Sequence, residues 1–132
     1  MQIQTGSVDM TNACEAIEMA AANPVPVSNV GTSKYEPFLE NGKYFGDIHW
    51  LRTESGGEGM LLAGFWSHAP AELPYECIGD ETIHVLEGEV VVELEGGESV
   101  TLQEGDVASF SKGQKSVWRI VRPFKKFFVV SG

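Results

Sequence analysis

From residue 43 onward, apolar and polar positions alternate in short runs separated by glycine and other turn residues. Period-two alternation is what a strand half-buried in a sheet requires, because successive side chains point to opposite faces. The pattern predicts strands near 43–52, 59–67, 73–77, 81–87, 89–95, 98–103, 107–110, 115–121 and 124–130. Val90, Val92 and Leu94 fall on one face, Val91, Glu93 and Glu95 on the other, so this strand has one dry side and one wet side. Gly96-Gly97 supplies the positive φ angles of a two-residue hairpin. Gly88 and Gly105 fall where turns need a residue without a Cβ. Many short strands with regular turns predict an all-β sandwich or barrel.

Residues 12–22 follow a different period. Ala13, Ile17, Ala20 and Ala21 give an apolar stripe at helical spacing, Asn12 with Glu15 forms a capping box, and Pro24 ends the run. The chain therefore divides into a helix with an extended arm, 1–42, packed on the barrel or on a partner chain, and a barrel, 43–132. One domain suits the 132 residues, a length that buries a sufficient core without disulfides.

Charge removes two classes of partner. The net charge is −10, and a negative field repels phosphate backbones and anionic membranes. Neither nucleic acid nor a membrane is expected. Cys14 and Cys77 form no CxxC, and the N-terminal segment has no Lys or Arg before Lys34 and no long apolar run. It reads as neither signal peptide nor membrane span, so a cytoplasmic, reduced protein is the simplest expectation.

Residues 79–118 read GDETIHVLEGEVVVELEGGESVTLQEGDVASFSKGQKSVW. Glu81 with Leu86-Glu87-Gly88, followed by Gly105-Asp106 and Gly113, resembles the two motifs of the cupin superfamily. Gly64-Phe65-Trp66, Trp118 and Pro123-Phe124-Lys125-Lys126 make it similar to the small single-domain branch of ureidoglycine aminohydrolase and ethanolamine-utilisation cupin domains. The resemblance covers about residues 59–130. It implies a single-domain jelly-roll (double-stranded β-helix) barrel with a short N-terminal helix, and a homodimer.

A metal-binding cupin offers two histidines, a glutamate and a later histidine. By the resemblance those places fall here on Tyr75, Cys77, Glu81 and Ser116, so one standard ligand remains. Alternation puts Tyr75 and Cys77 on one face, and His68 shares the parity of Trp66. A set of His68, Cys77 and Glu81, joined by Tyr75, has the donors to hold a divalent metal such as Zn, Fe, Mn or Ni. Against it, Cys77 reads equally as a small buried hydrophobe and Tyr75 as a barrel-lining ring.

Glu81 is the most informative single residue. A carboxylate inside a barrel must be paired, hydrogen-bonded or protonated, and such groups serve as general acid or base. Trp66, Tyr75, Cys77, Ser116 and Trp118 are expected to line a ligand pocket around it. His84 has the opposite parity and faces outward. His49 reads as interface or core, and Lys125 and Lys126 as ordinary solvated or salt-bridged charges, with Lys125 an optional cation at the mouth. No phosphate loop, dinucleotide fingerprint or nucleophile elbow competes.

Three functions follow. The first is a cupin binding a small polar metabolite, with Glu81 as acid or base. The second is a metal-dependent cupin enzyme of aminohydrolase or dioxygenase type with non-standard ligands. The third is a non-catalytic dimerisation or regulatory module whose barrel is filled by its own side chains.

Overall fold

The computed structural model describes residues 25–132; the helix expected at 12–22, and Cys14 within it, lie outside the described residues. Eight strands follow one another: β1 Glu36–Glu40, β2 Lys43–Arg52, β3 Leu61–His68, β4 Ala71–Glu76, β5 Asp80–Leu94, β6 Ser99–Gln103, β7 Val107–Phe110 and β8 Lys115–Ser131. All pair antiparallel. None of the described residues forms a helix, and no helix among them is long and apolar enough to cross a membrane.

Two departures from the expected strands share a cause. Residues 81–87 and 89–95 are one strand, and so are 115–121 and 124–130. Gly88 is not a hairpin turn but a bend within β5, at φ +84°. A Cβ there would stand 2.1 Å from the Pro123 carbonyl oxygen, so only glycine admits the close approach of β8. The pairing of β5 with β8 changes register between Val85 and Val90, where both strands turn the corner.

That corner makes a rolled barrel out of two sheets. Beyond it, Phe124–Ser131 of β8 pairs with β3 on one side and with Asp80–Glu87 of β5 on the other. β2 and β1 extend this sheet past β3, and β7 extends it past β5. On the near side, Lys115–Ile120 of β8 pairs with β4, and Glu89–Glu93 of β5 pairs with β6. This is the all-β jelly-roll topology expected for the chain. β1 lies within the segment read as an extended arm and joins the sheet through β2. His49 pins the stretch before it: Nε2 is 2.7 Å from Ser28 Oγ, and Nδ1–H donates to the Lys34 carbonyl at 2.8 Å.

The core sits between the sheets and follows the alternation. Ile83, Val85, Val90 and Val92 of β5 are buried, whereas Thr82, His84 and Glu93 are exposed. Trp118, Ile120, Phe124, Phe128 and Val130 of β8 face them, with Leu62 and Ile48 closing the sides. Two charged side chains share these inward rows: Glu81, 1% exposed, and Lys126, 6% exposed.

Candidate functional site

A cavity of about 290 Å³ opens at the end of the barrel where β4 meets the start of β5. Its walls include Trp66 of β3, Tyr75 of β4, Glu81 of β5, and Ser116, Trp118 and Lys126 of β8. Each stands on its inward row by parity. Phe38 and Phe45 add apolar wall from β1 and the start of β2, and Glu40, Glu76 and Lys115 are among the other lining residues.

The centre is a three-residue network. Tyr75 Oη donates a short hydrogen bond to Glu81 Oε1, and Lys126 Nζ donates to Glu81 Oε2 at 2.8 Å. Both carboxylate oxygens are therefore engaged, as a buried acid requires. Opposite Lys126 on β5 lies Val85, not Glu81. The lysine stem must run along the barrel to reach the carboxylate. Along that path its ammonium is 4.5 Å from the ring centroid of Trp118, 5.1 Å from Trp66 and 5.6 Å from Tyr75. The ring faces attract the cation. Burial, then the charge of Glu81 and its hydrogen bond, push the Tyr75 phenol well above its ordinary value, so it stays a donor.

The aromatic walls are fixed by polar ends. The Trp66 indole N–H donates to the Phe45 carbonyl at 2.7 Å. Gly46, at φ +80°, allows this, since a Cβ there would stand 2.8 Å from Trp66 Nε1. Trp118 Nε1 donates to Ser116 Oγ at 3.0 Å, and Ser116 Oγ donates to the Tyr75 carbonyl at 3.3 Å. Ser116, standing where the resemblance would put a histidine, ties Trp118 to β4.

Trp66, Tyr75, Glu81, Ser116 and Trp118 thus meet around one cavity, while Cys77 and His68 do not line it. Cys77 follows the end of β4 and packs in the core, 3% exposed. Burial first, and Glu81's charge second, push its thiol up to about 11. His68 ends β3, where its ring lies tilted against Tyr44 and Trp66 and Nδ1–H donates to the Ala69 carbonyl. Its parity matches Trp66, but the strand stops there and the ring is not part of the cavity wall.

The set of His68, Cys77 and Glu81 is therefore not brought together. Among the described residues no three His, Cys, Asp or Glu side chains gather as a metal site. The one standard ligand has both oxygens taken by Tyr75 and Lys126, and a cationic ammonium stands where a metal would need to approach. These residues do not fit a divalent metal.

Lys126 is the site residue that the sequence reading missed. The signal was in the alternation of Phe124, Lys126, Phe128 and Val130, which puts the lysine on the buried row with three apolar neighbours. Lys125, half-buried on the other face, lies 3.5 Å from Glu87 and over the Tyr35 ring, away from the cavity.

The EutQ-like cupin domain model (Cupin_3) matches residues 55–128. No curated protein matches the chain. Among solved structures, a putative ethanolamine utilization protein Q from Salmonella typhimurium LT2 superposes with a TM-score of 0.68 at 28% identity, over 80% of this chain and 84% of that one. The EutQ protein of Clostridium difficile gives a TM-score of 0.61 at 15% identity, over 80% and 85%. The cupin domain of Schizosaccharomyces pombe Cnp3 gives 0.63 at 11% identity, over 80% and 74%. The last two speak for the fold alone. The family match spans more than half of the chain, including the strands that carry Trp66, Tyr75, Glu81, Trp118 and Lys126, and the chain belongs to the EutQ-like cupin domain family.

Proposed function

We propose that this cupin binds a small polar metabolite in the cavity bounded by Trp66, Tyr75, Ser116 and Trp118, with Glu81 as the acid or base of a proton-transfer step. The observation that carries the reading is the Tyr75–Glu81–Lys126 network on the wall of an aromatic cavity. An apolar cleft with a few convergent polar groups is the usual small-molecule site. Glu81 exchanges protons with a ligand directly or through the Tyr75 hydroxyl and the Lys126 ammonium, which also line the space. A lyase-, isomerase- or hydrolase-type step suits such a relay. A purely structural module was expected to fill its barrel, and an open cavity of about 290 Å³ argues for the binding function instead. The Salmonella relative's name directs the first compounds to try: ethanolamine, then small amines, alcohols and the carbonyl and carboxylate compounds of the same size.

The test is a thermal-shift screen of those compounds, followed by calorimetry on wild type and Glu81→Gln. Binding in the wild type, weakened at least about tenfold in Glu81→Gln, is the expected result. Identical affinity and turnover in the two proteins would sink the role of Glu81.

A further inference from the structure

Lys126 has a chemistry that a simple proton relay leaves unused. It is 6% exposed, yet its side chain lines the cavity. Its ammonium is hydrogen-bonded to Glu81 at 2.8 Å and boxed by Trp118 and Trp66 at 4.5 Å and 5.1 Å. A buried ion pair adds little net stability, because desolvating two charges offsets their attraction. What the pair does supply is a route to a neutral amine. Transfer of one proton from Nζ to Glu81 removes both charges from an apolar site at once, and a desolvated lysine beside an acid–base group is an activated nucleophile.

We propose that Lys126 condenses with a small aldehyde or ketone to form a Schiff base, with Glu81 as proton shuttle. The proposal rests on the small-metabolite pocket argued above and names its substrate class. Glu81 Oε2 takes one proton from the Nζ ammonium. The nitrogen lone pair forms the N–C bond as the carbonyl π pair moves onto oxygen. A proton passes from nitrogen to that oxygen, giving the carbinolamine. Glu81 returns its proton to the hydroxyl, which leaves as water with the C–O bonding pair, and the nitrogen lone pair closes the protonated imine. One ammonium and one carbonyl become one iminium and one water, with Glu81 again a carboxylate. The iminium charge stays within the aromatic box that held the ammonium, so the same cation–π attraction serves product and reactant. Tyr75, bonded to the other carboxylate oxygen, is a positioning residue that keeps Oε2 turned toward Nζ.

The test traps the imine. The full chain is incubated with propionaldehyde, and separately with acetone, in the presence of cyanoborohydride, which reduces the imine to a stable secondary amine. Peptide mass spectrometry then ranks the lysines. Lys126 is expected to alkylate at least about tenfold faster than the exposed Lys34, Lys43 and Lys112, none of which lines the cavity, against the order that exposure alone dictates. Glu81→Gln should slow Lys126 about tenfold while leaving the surface lysines unchanged; the wild-type ranking decides the matter by itself if that variant fails to fold. Alkylation in order of exposure, with Lys126 spared, overturns the Schiff base. Tryptophan fluorescence titrated with the same compounds and no reductant separates the two ideas. Reversible quenching with Lys126 spared overturns the covalent step and leaves the pocket standing. No response to these compounds or to any in the amine and alcohol screen overturns the pocket as well.

Discussion

β5 carries two kinds of inward position within five residues. Ile83 and Val85 are sealed among the side chains of β8, whereas Glu81, one step earlier on the same face, carries a charge at the same depth. β8 repeats the contrast: Phe124 and Phe128 are apolar, and Lys126 between them is not. The apolar positions fill space and need no partners. The polar positions border a cavity, and Glu81 takes its partners from one lysine and one tyrosine. Two buried charges are a poor way to stabilise a barrel, so the difference teaches that stability and chemistry are interleaved on the same inward rows.

The strongest way to break this contrast is to remove one partner. Lys126→Met leaves the Glu81 carboxylate buried without its cation and should destabilise the fold by about 3–5 kcal/mol in urea denaturation. Adding Glu81→Gln, which still accepts from Tyr75, should recover at least half of that loss. A single-variant loss below about 1 kcal/mol would mean that water reaches the pair.

A second test uses pH and a residue that belongs to the core yet borders the charged pair. Cys77 packs in the core but feels Glu81, and its thiol lies at about 11 against 9.0 for an ordinary cysteine. Below 9.0 both folded and unfolded chains hold the proton, and the thiol contributes no pH dependence. Between 9.0 and about 11 the unfolded chain loses the proton while the folded chain keeps it. The folded pKa is the raised one, so the contribution is present in full below the unfolded value and is lost as pH rises. Denaturation midpoints should fall across this window by the equivalent of about 2–3 kcal/mol, and Cys77→Ala should lack that part of the fall. A parallel decline in the two proteins would show that the thiol is open to water.

Much of this was legible in the chain. The alternation in 81–87 and 89–95 placed Ile83, Val85, Val90 and Val92 inside and His84 outside, because period two leaves no other choice once one face is buried. Trp66, Tyr75, Glu81, Ser116 and Trp118 followed from the resemblance and from parity, and they share one cavity. The misses lie where parity breaks. Gly88 reads as a turn because local sequence cannot reveal that β8 will cross at Pro123. His68 stands at a strand end, where the alternation that carried Trp66 inward no longer applies, whereas Cys77 does turn inward but packs in the core without lining the cavity. Lys126 was hidden by its residue type: a lysine beside another lysine reads as solvent-facing, and only the apolar residues two places to either side say otherwise.

Ser116 offers the smallest and most specific test of the contrast. It stands where the resemblance would put a histidine, yet its hydroxyl accepts from Trp118 Nε1 and donates to the Tyr75 carbonyl. Ser116→Ala strands a buried indole N–H and should destabilise the fold by about 1–2 kcal/mol, with looser ligand binding as Trp118 loses its anchor. Ser116→His should not create a metal site. It would add one imidazole to Glu81, whose oxygens are already held by Tyr75 and Lys126, and the positive ammonium would oppose a second cation in the same space. Elemental analysis after incubation with Zn, Mn and Ni should therefore show under about a tenth of an equivalent bound to Ser116→His. A full equivalent would mean that Lys126 swings out of the cavity readily, and the contrast between the apolar and the charged inward positions would then rest on the mobility of that one side chain.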